Sequence, residues 1–340
     1  MANFVTYPEN LGDVTVPTLL IGLVDHLVDP GAIGQAVNAC IDLLDSVEVA
    51  TFDADPLYDY RAQRPIVTYV DGILASSFEP GMSLVLVTDV NGNPFLYLHG
   101  TEPDFHWPRL TEDILEIVSR FGVEHIFSIN GMPAPIPHTR PADMLIRTTQ
   151  HVENPAIVHG QASHPASLSD YAEYQLGTQG YKATNIRVRV PLYMSRSDMP
   201  FFSGALAVVR QLATLGGPTI PLGDLEQHED QQAVELVGVA EQDEQFARMI
   251  AQFEEEYDSS DQGFVKIHEE SGPLPTPDEI GAAVERFLAM QDSNPLEGIV
   301  TQPERAPKEK TKAAEPAQAQ DLRTQLKNSL SQLFNRKHGN

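Results

Sequence analysis

TLLIGLV, residues 18–24, is the stretch of sequence that decides the fold. It is an unbroken apolar run, and a helical pattern rich in alanine and glycine follows it from about residue 31. A strand that is buried on both faces has this composition, and such strands occur in parallel sheets that carry helices on both sides. The stretch therefore predicts a central parallel strand that leads into a helix.

Strand-like and helical patterns alternate beyond this run, up to about Pro221. Apolar runs predict strands at residues 47–52, 123–129, 144–150 and 184–190, and amphipathic patterns predict helices at residues 110–121, 167–178 and 201–215. Turn residues at Asp71-Gly72 and Asn91-Gly92-Asn93 predict two hairpins that add antiparallel strands to the sheet. Residues 1–222 are therefore expected to form a three-layer α/β/α domain of the α/β class, with a mostly parallel mixed sheet.

The helix predicted at residues 110–121 has sequence signals at both ends. Thr111 is expected to start it, because the acidic residues Glu112 and Asp113 follow in the first turn. Gly122 is expected to end it. The next strand is then expected to begin at Val123.

An acidic segment begins at Asp224 and contains 13 acidic residues and one basic residue, Arg248, up to Asp261. Apolar residues recur in it at coiled-coil spacing, interrupted only at Asp243, and predict one long helix with an apolar seam: Leu236, Val239, Phe246, Ile250, Phe253 and Tyr257. A second helix start at Thr276-Pro277-Asp278-Glu279 predicts a helix to about Met290. Residues 223–292 are expected to form an acidic helical hairpin whose seam packs on this second helix, with a contact to another subunit as the alternative.

Residues 293–340 differ in composition from the rest of the chain. They are rich in proline, alanine, lysine and glutamate to about Gln320, which is typical of a disordered linker. Residues 321–337 then carry leucines at helical spacing with basic residues between them. This pattern predicts a basic amphipathic helix that is suited to a groove or to an anionic membrane.

The net charge of −26 is divided unevenly along the chain. Residues 305–340 carry eight basic and three acidic residues, a balance of +5, so the remainder of the chain carries −31. A body of this charge repels a phosphate backbone, which argues against nucleic acid as its partner. A basic protein partner is favoured instead, and a membrane contact is expected only through the basic tail.

Several classes of protein are disfavoured by composition and by missing motifs. The single cysteine, Cys40, excludes an intramolecular disulfide, and its place on the apolar face of a predicted helix indicates a buried packing residue. No apolar run is long enough to span a bilayer and the N-terminus does not resemble a signal peptide, so we expect a cytoplasmic protein. Glycine-rich nucleotide loops, a nucleophile elbow and zinc-binding helix motifs are missing, so we expect neither a cofactor nor a metal ion.

Three polar residues follow predicted strands at the edge of the sheet where ligands of open parallel sheets bind. They are Asp25, Asn130 and Asp198. Two of them have a specific structural alternative, since Asp25 is also suited to cap the following helix and Asn130-Gly131 to form a turn.

The segment PIPHTRP, residues 135–141, places His138, Thr139 and Arg140 between prolines. Prolines limit backbone freedom, as either a ligand-binding loop or a rigid subunit contact requires. Arg64 is a further candidate, with an ion pair to Asp59 as its structural alternative. Together with Asp25, Asn130 and Asp198, these residues are candidates for ligand or interface contacts, and none is nominated as catalytic.

Several segments form a combination that is characteristic of one family. They are the strand at residues 18–24 that enters an Ala/Gly helix, Asp59-Tyr60-Arg61 with Arg64-Pro65, residues 98–103 with Trp107, residues 130–133, and Pro137-His138-Thr139-Arg140-Pro141, which is the most specific. Together they resemble the proteasome assembly chaperone 2 family. The run at residues 197–205 resembles the actinobacterial branch of that family, and the resemblance covers roughly residues 15–290.

The resemblance implies a phosphorylase-like α/β/α domain, an α-helical C-terminal extension and self-assembly into a homo-oligomer such as a trimer. It also implies a non-enzymatic chaperone or scaffold that holds proteasome α-subunits while their ring assembles. Family members that grip the proteasome often end in a hydrophobic residue, a tyrosine and any third residue. This chain ends in His338-Gly339-Asn340, so docking by that route is not expected.

Kinship with nucleoside phosphorylases supplies the alternative function, a small-molecule-binding enzyme or sensor with a pocket at the strand ends. Such an enzyme needs donors that bind phosphate and an acid that protonates the leaving purine, and Arg64, Arg140, His138 and Asp198 are the residues suited to these tasks. No segment resembles the phosphate-binding glycine motif of those enzymes, and similarity of fold alone is weak support for an activity.

Overall fold

A computed structural model describes residues 4–9, 11–12, 14–24, 32–150, 165–195 and 200–259. Every described residue belongs to one compact unit, Met1–Ser271. The second helix of the acidic segment and the basic tail, predicted at residues 276–290 and 321–337, lie outside the described residues, as does the predicted linker.

Ten strands and six helices form within the described ranges. The strands are β1 (Val5–Thr6), β2 (Thr18–Val24), β3 (Ser46–Phe52), β4 (Ile66–Val70), β5 (Ile73–Phe78), β6 (Met82–Thr88), β7 (Pro94–Thr101), β8 (His125–Ala134), β9 (Met144–Thr148) and β10 (Lys182–Pro191). The helices are α1 (Ala32–Ile41), α2 (Trp107–Phe121), α3 (Leu168–Thr178), α4 (Phe202–Thr214), α5 (Leu225–Gln242) and α6 (Glu244–Ser259).

Eight of the strands form one mixed sheet in the order β1-β3-β6-β7-β2-β8-β10-β9. The four strands β7, β2, β8 and β10 are parallel to one another and lie in its middle. Antiparallel strands complete both sides, with β6, β3 and β1 beside β7 and with β9 beside β10. The mixed sheet with a central parallel strand at residues 18–24 is confirmed.

Two hydrophobic cores lie on the two faces of this sheet. Leu20 and its neighbours pack with α1 and α4 in one core, whereas Leu19 packs with α2 and α3 in the other. Successive side chains of a strand point to opposite faces, so an unbroken apolar run supplies both cores at once. The predicted three-layer α/β/α domain with a helical C-terminal extension is confirmed.

Cys40 lies in the core that contains α1. Its Sγ donates a hydrogen bond to the carbonyl oxygen of Leu222 at 3.4 Å, and burial raises its pKa to about 11. The thiol is therefore a packing group at neutral pH, as its position on an apolar helix face predicted.

Helix α2 begins earlier than the sequence predicted. It starts at Trp107, and its N-cap is His106 in the left-handed region with φ 61°. Pro108 occupies the first turn, where a missing N–H is tolerated, while the Thr111 hydroxyl donates to the carbonyl oxygen of Trp107 at 2.8 Å. The expected start at Thr111 is wrong because that residue bonds within the helix, whereas the end at Gly122 is confirmed.

Strand β8 continues past the predicted end at Ile129. Its pairing with β10 runs in register from His125 to Ala134, so Asn130 and Gly131 lie inside the strand. The interpretation of these two residues as a possible turn is therefore wrong. Ten backbone positions of β10 pair with this segment, and this long-range pairing outweighs the local turn preference of Asn-Gly.

The hairpin at Asp71-Gly72 forms but does not join the main sheet. β4 and β5 make a separate two-stranded sheet, whereas the hairpin at Asn91-Gly92-Asn93 joins β6 to β7 inside the main sheet. The expectation that both hairpins extend the sheet is wrong for the first one. The strands that precede and follow this hairpin in the sequence, β3 and β6, pair directly with each other. No free strand edge therefore remains between them for the hairpin to join.

Asp243 divides the long acidic helix into α5 and α6. Its backbone leaves the helical region, with φ −125° and ψ 102°. Its Oδ1 accepts hydrogen bonds from the amides of Gln245 at 2.8 Å and Phe246 at 3.1 Å, so the side chain caps α6. The prediction of one continuous helix is wrong because the residue that interrupts the apolar seam is itself a helix cap.

Candidate functional site

Asn130 and Arg187 lie side by side on β8 and β10. The Arg187 Nε donates to Asn130 Oδ1 at 2.9 Å, and both residues are buried. The register of β2 with β8 ends at Ile21 opposite Ser128, two residues before Asn130. Asn130 therefore lies where the two parallel strands stop pairing, which is the place where ligands bind in open α/β sheets.

Asp170 joins this pair from the N-terminus of α3. The Arg187 Nη2 donates to both of its carboxylate oxygens, at 2.9 and 2.8 Å, and Arg147 on β9 donates to the same carboxylate. Asp170 also forms a capping box with Ser167, which fixes the first turn of α3. Burial alone would raise the pKa of Asp170, but the two guanidinium groups outweigh it and hold that pKa well below its usual range.

Glu173 lies one turn further along α3, and its pKa is shifted in the opposite direction to that of Asp170. Burial raises the pKa of its carboxyl to about 7, with Arg147 at 3.9 Å opposing the shift and the negative charge of Asp170 adding to it. The pKa values of these two neighbouring carboxyl groups are therefore shifted in opposite directions. Two acids held at different pKa values are found in catalytic sites and in structural ion clusters alike.

Glu102 connects the end of β7 to the same group. Its amide donates to the carbonyl oxygen of Val24 at 2.9 Å, and its Oε1 accepts from the amide of Leu168 at the start of α3. The Gln63 Nε2 donates to the carbonyl oxygen of Glu102 at 2.9 Å, while the buried Gln63 Oε1 has no hydrogen-bond partner among the described residues. We call Gln63, Glu102, Asn130, Arg147, Asp170, Glu173 and Arg187 the strand-end cluster.

His138 makes a different set of contacts. Its backbone amide donates to the Tyr193 hydroxyl at 2.7 Å, and its Nδ1 lies 2.7 Å from the same oxygen. The Tyr193 hydroxyl oxygen therefore contacts both the backbone and the ring of His138. Burial lowers the pKa of His138, and the charge of Glu254 partly opposes the shift.

Arg140 and Thr139 bind the acidic helix α6. Arg140 donates to Asp258 through Nε at 2.8 Å and Nη2 at 2.6 Å, and its Nη1 donates to Glu254 at 3.1 Å. The Thr139 hydroxyl donates to the same Glu254 carboxylate. We call His138, Thr139, Arg140, Tyr193, Glu254 and Asp258 the loop–helix cluster, because it attaches the PIPHTRP segment to the helical extension.

The apolar seam of the acidic helices supports this attachment. Tyr193 packs edge-on against Phe246 and stacks on Phe253, with ring centroids 5.1 and 6.3 Å apart. Leu236 is part of the core that contains α1 and α4, and Phe246 packs against that core. The seam therefore contacts the α/β layers directly, while its predicted partner at residues 276–290 lies outside the described residues.

The candidate residues from the sequence thus separate into groups. Asn130 belongs to the strand-end cluster, and His138, Thr139 and Arg140 belong to the loop–helix cluster. Arg64 lies exposed just before β4, and Asp59, its considered partner, pairs with Arg61 at 3.5 Å instead. Asp25 and Asp198 lie outside the described residues.

The charged members of the strand-end cluster are the residues that sequence reasoning missed. Arg187 and Arg189 alternate with Val188 and Val190 in β10, and charges placed in such an apolar run signal buried groups that need partners. Arg189 pairs with Asp143, and Arg187 with Asp170. The alternation was visible in the sequence, but the identity of the partners was not.

Two kinds of feature are missing from the described ranges. No group of three or more histidine, cysteine, aspartate and glutamate side chains is arranged to hold a metal ion in these ranges. No helix within them is long and apolar enough to cross a membrane.

Comparison with known proteins places the chain among a defined set of relatives. The model of the PAC2 family matches residues 23–240. No curated protein matches the chain significantly.

Solved structures show the same fold. A protein of unknown function from Corynebacterium glutamicum is 26% identical, with a TM-score of 0.69, and the match covers 75% of this chain and 97% of that one. Rv2714 of Mycobacterium tuberculosis, also of unknown function, is 26% identical with a TM-score of 0.68, covering 85% and 93%. Rv2125 of the same organism, a proteasome-assembly chaperone homologue, is 18% identical with a TM-score of 0.59, covering 68% and 99%, and this likeness shows the fold alone.

Proposed function

Since this chain belongs to the PAC2 family, we propose that it is a non-enzymatic assembly chaperone or scaffold, which acts as a homo-oligomer on protein partners in the cytoplasm. The family match over residues 23–240 is the observation that carries this proposal. The structural likeness to a proteasome-assembly chaperone homologue supports proteasome subunits as the partners to test first.

The use of the PIPHTRP side chains supports a binding role. Thr139 and Arg140 are occupied by carboxylates of α6, and His138 is held by Tyr193. These side chains hold the PIPHTRP segment against helix α6 and Tyr193, so they position parts of the protein relative to one another. They thereby attach the acidic helix α6 to the α/β layers.

The acidic helices offer the surface that a basic partner requires. Eight carboxylates on them or at their starts are exposed: Asp224, Glu226, Asp230, Glu241, Glu244, Glu255, Glu256 and Asp258. Complementary charge steers a partner to such a surface and makes binding weaken with salt. The proposal therefore places partner binding on the solvent-facing side of α5 and α6.

The test is capture of proteasome subunits by the full chain and by two charge-reversal variants. D230K/E241K changes two exposed carboxylates of α5, and E9K/E124K changes two exposed carboxylates elsewhere, so both variants have the same net charge. We expect capture from host lysate and direct binding to purified α-subunits, weakened by about tenfold or more in D230K/E241K and little changed in E9K/E124K. A full chain that captures neither proteasome subunits nor another specific protein would overturn the proposal.

A second candidate function is a small-molecule-binding enzyme or sensor. One observation favours it, the buried Gln63 Oε1 that has no partner among the described residues, within the strand-end cluster. An unpaired buried acceptor suits a ligand that carries an N–H or O–H group. Nucleosides, phosphate and carboxylates should then be screened by thermal shift, with Gln63→Ala as the variant that must lose the response. If no ligand raises the melting temperature, this candidate fails.

A further inference from the structure

The middle of helix α5 is apolar around its whole circumference. Residues 233–240, with the sequence AVELVGVA, contain a single charged residue, and we call them the apolar band. Leu236 lies in the core that contains α1 and α4. Val234, Val237 and Val239, in contrast, are 72%, 54% and 47% exposed. A helical segment that is apolar on all sides is normally covered on all sides, so the outer side of the band has the composition of a contact surface.

Acidic residues lie on both sides of the apolar band. Three precede it in α5 and three follow it: Glu226, Glu229, Asp230, Glu241, Asp243 and Glu244. Asp230 lies four residues before Val234, and Glu241 lies four residues after Val237. Val237 itself is three residues after Val234, so all four side chains share one face of the helix, and all four are exposed. This outer face therefore presents, in order along the helix, a carboxylate, two valines and a carboxylate.

The two carboxylates of the outer face are available to a partner. The nearby Glu226 pairs with Arg210 at 2.7 Å. Asp230 and Glu241, in contrast, form no ion pair within the part of the chain that the structure describes. A lysine or arginine side chain of a partner can therefore bind either of them without first breaking an internal pair.

Gly238 opens a notch in the same face. It follows Val234 by four residues and Val237 by one, and a Cβ at this position would meet no atom within 4 Å. Helices pack by placing the side chains of one between those of the other, so an apolar side chain of a neighbouring helix can occupy this space and contact both valines. The outer face therefore suits a helix laid along α5.

The position of the charges indicates which helix this is. Carboxylates lie at both ends of the apolar band, so a second copy of α5 would place carboxylate against carboxylate in the parallel and in the antiparallel orientation. An anionic membrane surface is repelled for the same reason. The complement of this face is an apolar segment with lysine or arginine at both of its ends.

We propose that the outer face of α5 is the docking site for an amphipathic helix of a protein partner. Apolar side chains of that helix lie on Val234 and Val237, and its lysine or arginine side chains bind Asp230 and Glu241. The valines supply apolar contact area and the charges fix the orientation of the bound helix. The inference deepens the proposed function and rests on it, because it names the kind of segment through which a basic partner binds.

The first experiment uses the purified full chain and a synthetic peptide, without any proteasome subunit. The peptide is helical, with lysines in both end turns and a centre of leucine and alanine as long as the apolar band. A scrambled peptide of identical composition keeps the charge but loses the pattern. Fluorescence anisotropy should show saturable binding of the patterned peptide that weakens as salt is added, and binding of the scrambled peptide that is weaker by about tenfold or more.

The variant V234A/V237A tests the apolar contact. Alanine favours the helix more than valine does, so α5 stays folded in this variant, and far-UV circular dichroism checks this. V47A/V90A is the matched control, because Val47 and Val90 are 66% and 53% exposed on β3 and in the turn after β6. We expect about tenfold weaker binding of the patterned peptide to V234A/V237A and unchanged binding to V47A/V90A.

The variant D230N/E241Q tests the charges while keeping the size of both side chains. It should bind the patterned peptide more weakly and with a smaller dependence on salt. E9Q/E124Q makes the same change in net charge at two exposed positions elsewhere, and it should bind like the wild type. Equal binding of the two peptides, or wild-type binding by V234A/V237A or D230N/E241Q, would overturn the docking site.

Two further measurements test the other occupants. Light scattering that shows a smaller mass for V234A/V237A than for the wild type would identify a second copy as the occupant and overturn the proposal. Binding of the wild type to phosphatidylserine vesicles that V234A/V237A loses would do the same in favour of a membrane. A chain that binds the patterned peptide through α5 but captures no proteasome subunit would leave the docking site supported and count against proteasome subunits as the partners. The two proposals are therefore separable.

Discussion

Arg140 donates two hydrogen bonds to the Asp258 carboxylate, at 2.8 and 2.6 Å, and so joins the PIPHTRP segment to helix α6 across 118 positions of sequence. A bidentate pair of this kind fixes the orientation of both partners as well as their distance. It raises the pKa of Arg140 further above its usual value, so the guanidinium is charged at every accessible pH. The pair therefore links the α/β layers to the acidic extension.

Loss of the Arg140–Asp258 pair should make local opening of α6 more frequent without destabilising the central strands. Arg140→Ala is expected to speed amide hydrogen exchange in residues 244–259, while exchange in β2 and β8 stays unchanged, because local elements open without global unfolding. Arg140→Lys keeps the charge but loses the bidentate geometry, so its effect should be intermediate. Arg248→Ala, which removes an exposed contact to Glu244 at 3.9 Å, is the control. Unchanged protection of α6 in Arg140→Ala would contradict the assignment.

His138 should make stability depend on mildly acidic pH. Its folded pKa is lowered, so the native state binds fewer protons than the unfolded chain once the pH falls below the unfolded value of about 6.5. Stability from the neutral ring is present above that value and is lost as the pH falls toward the folded pKa. In the charged ring Nδ1 can only donate, so its contact with the Tyr193 hydroxyl then requires that oxygen to accept.

The measurement is the melting temperature at pH 7.5 and at pH 5.5. The wild type should lose more than His138→Gln between these two values, because the variant lacks the titrating group. His125 and His228 also have pKa values lowered by burial, so the variant should retain part of the acid effect. An identical pH dependence in both proteins would show that His138 does not titrate in this range.

The Asp170–Arg187 pair should behave as a buried ion pair. Both side chains are less than a tenth exposed, so Asp170→Ala leaves a buried guanidinium with less charge compensation and should cost about 3 kcal/mol or more in the free energy of unfolding. The exposed Arg61–Asp59 pair is the control, and its removal should change stability far less.

A double-mutant cycle separates the interaction between Asp170 and Arg187 from the other destabilising effects of each substitution. Asp170→Ala with Arg187→Met should be less destabilised than the sum of the single variants, because each change removes the partner that the other leaves uncompensated. Urea unfolding followed by circular dichroism gives the four free energies. Strict additivity would mean that the two residues are not coupled.

Gly22 should resist even a single added methyl group. A Cβ at this position would lie 2.5 Å from the Tyr97 hydroxyl and 3.0 Å from its Cε2. Gly22→Ala is expected to destabilise the protein by about 1–3 kcal/mol through overpacking, and Tyr97→Phe should relieve part of that cost by removing the closest atom. Gly12→Ala, where no atom lies within 4 Å of the added methyl group, is the control. A wild-type melting temperature for Gly22→Ala would contradict the close contact between β2 and the Tyr97 ring.

Local sequence patterns determined the elements whose signals lie within one segment. The apolar run at residues 18–24 predicts β2, Ser167 predicts the start of α3, and Asp71-Gly72 predicts a hairpin turn, because period, caps and turn chemistry act over a few residues. The same signals also marked Asp243 as an interruption of the apolar seam, although not as the cap that begins α6.

Only the tertiary structure decided which residues meet. Asn130 lies in a strand because it pairs with Arg187 of β10, which is 57 positions away in the sequence. The carboxylates that Arg140 binds, those of Glu254 and Asp258 on α6, are 114 and 118 positions away. Arg187, Asp170 and Glu173 form a cluster because one sheet face and the N-terminus of α3 converge, and no local period encodes that convergence. The sequence by itself thus determined the α/β/α layers, since burial follows local periodicity, whereas packing between distant segments decided the contacts of the site.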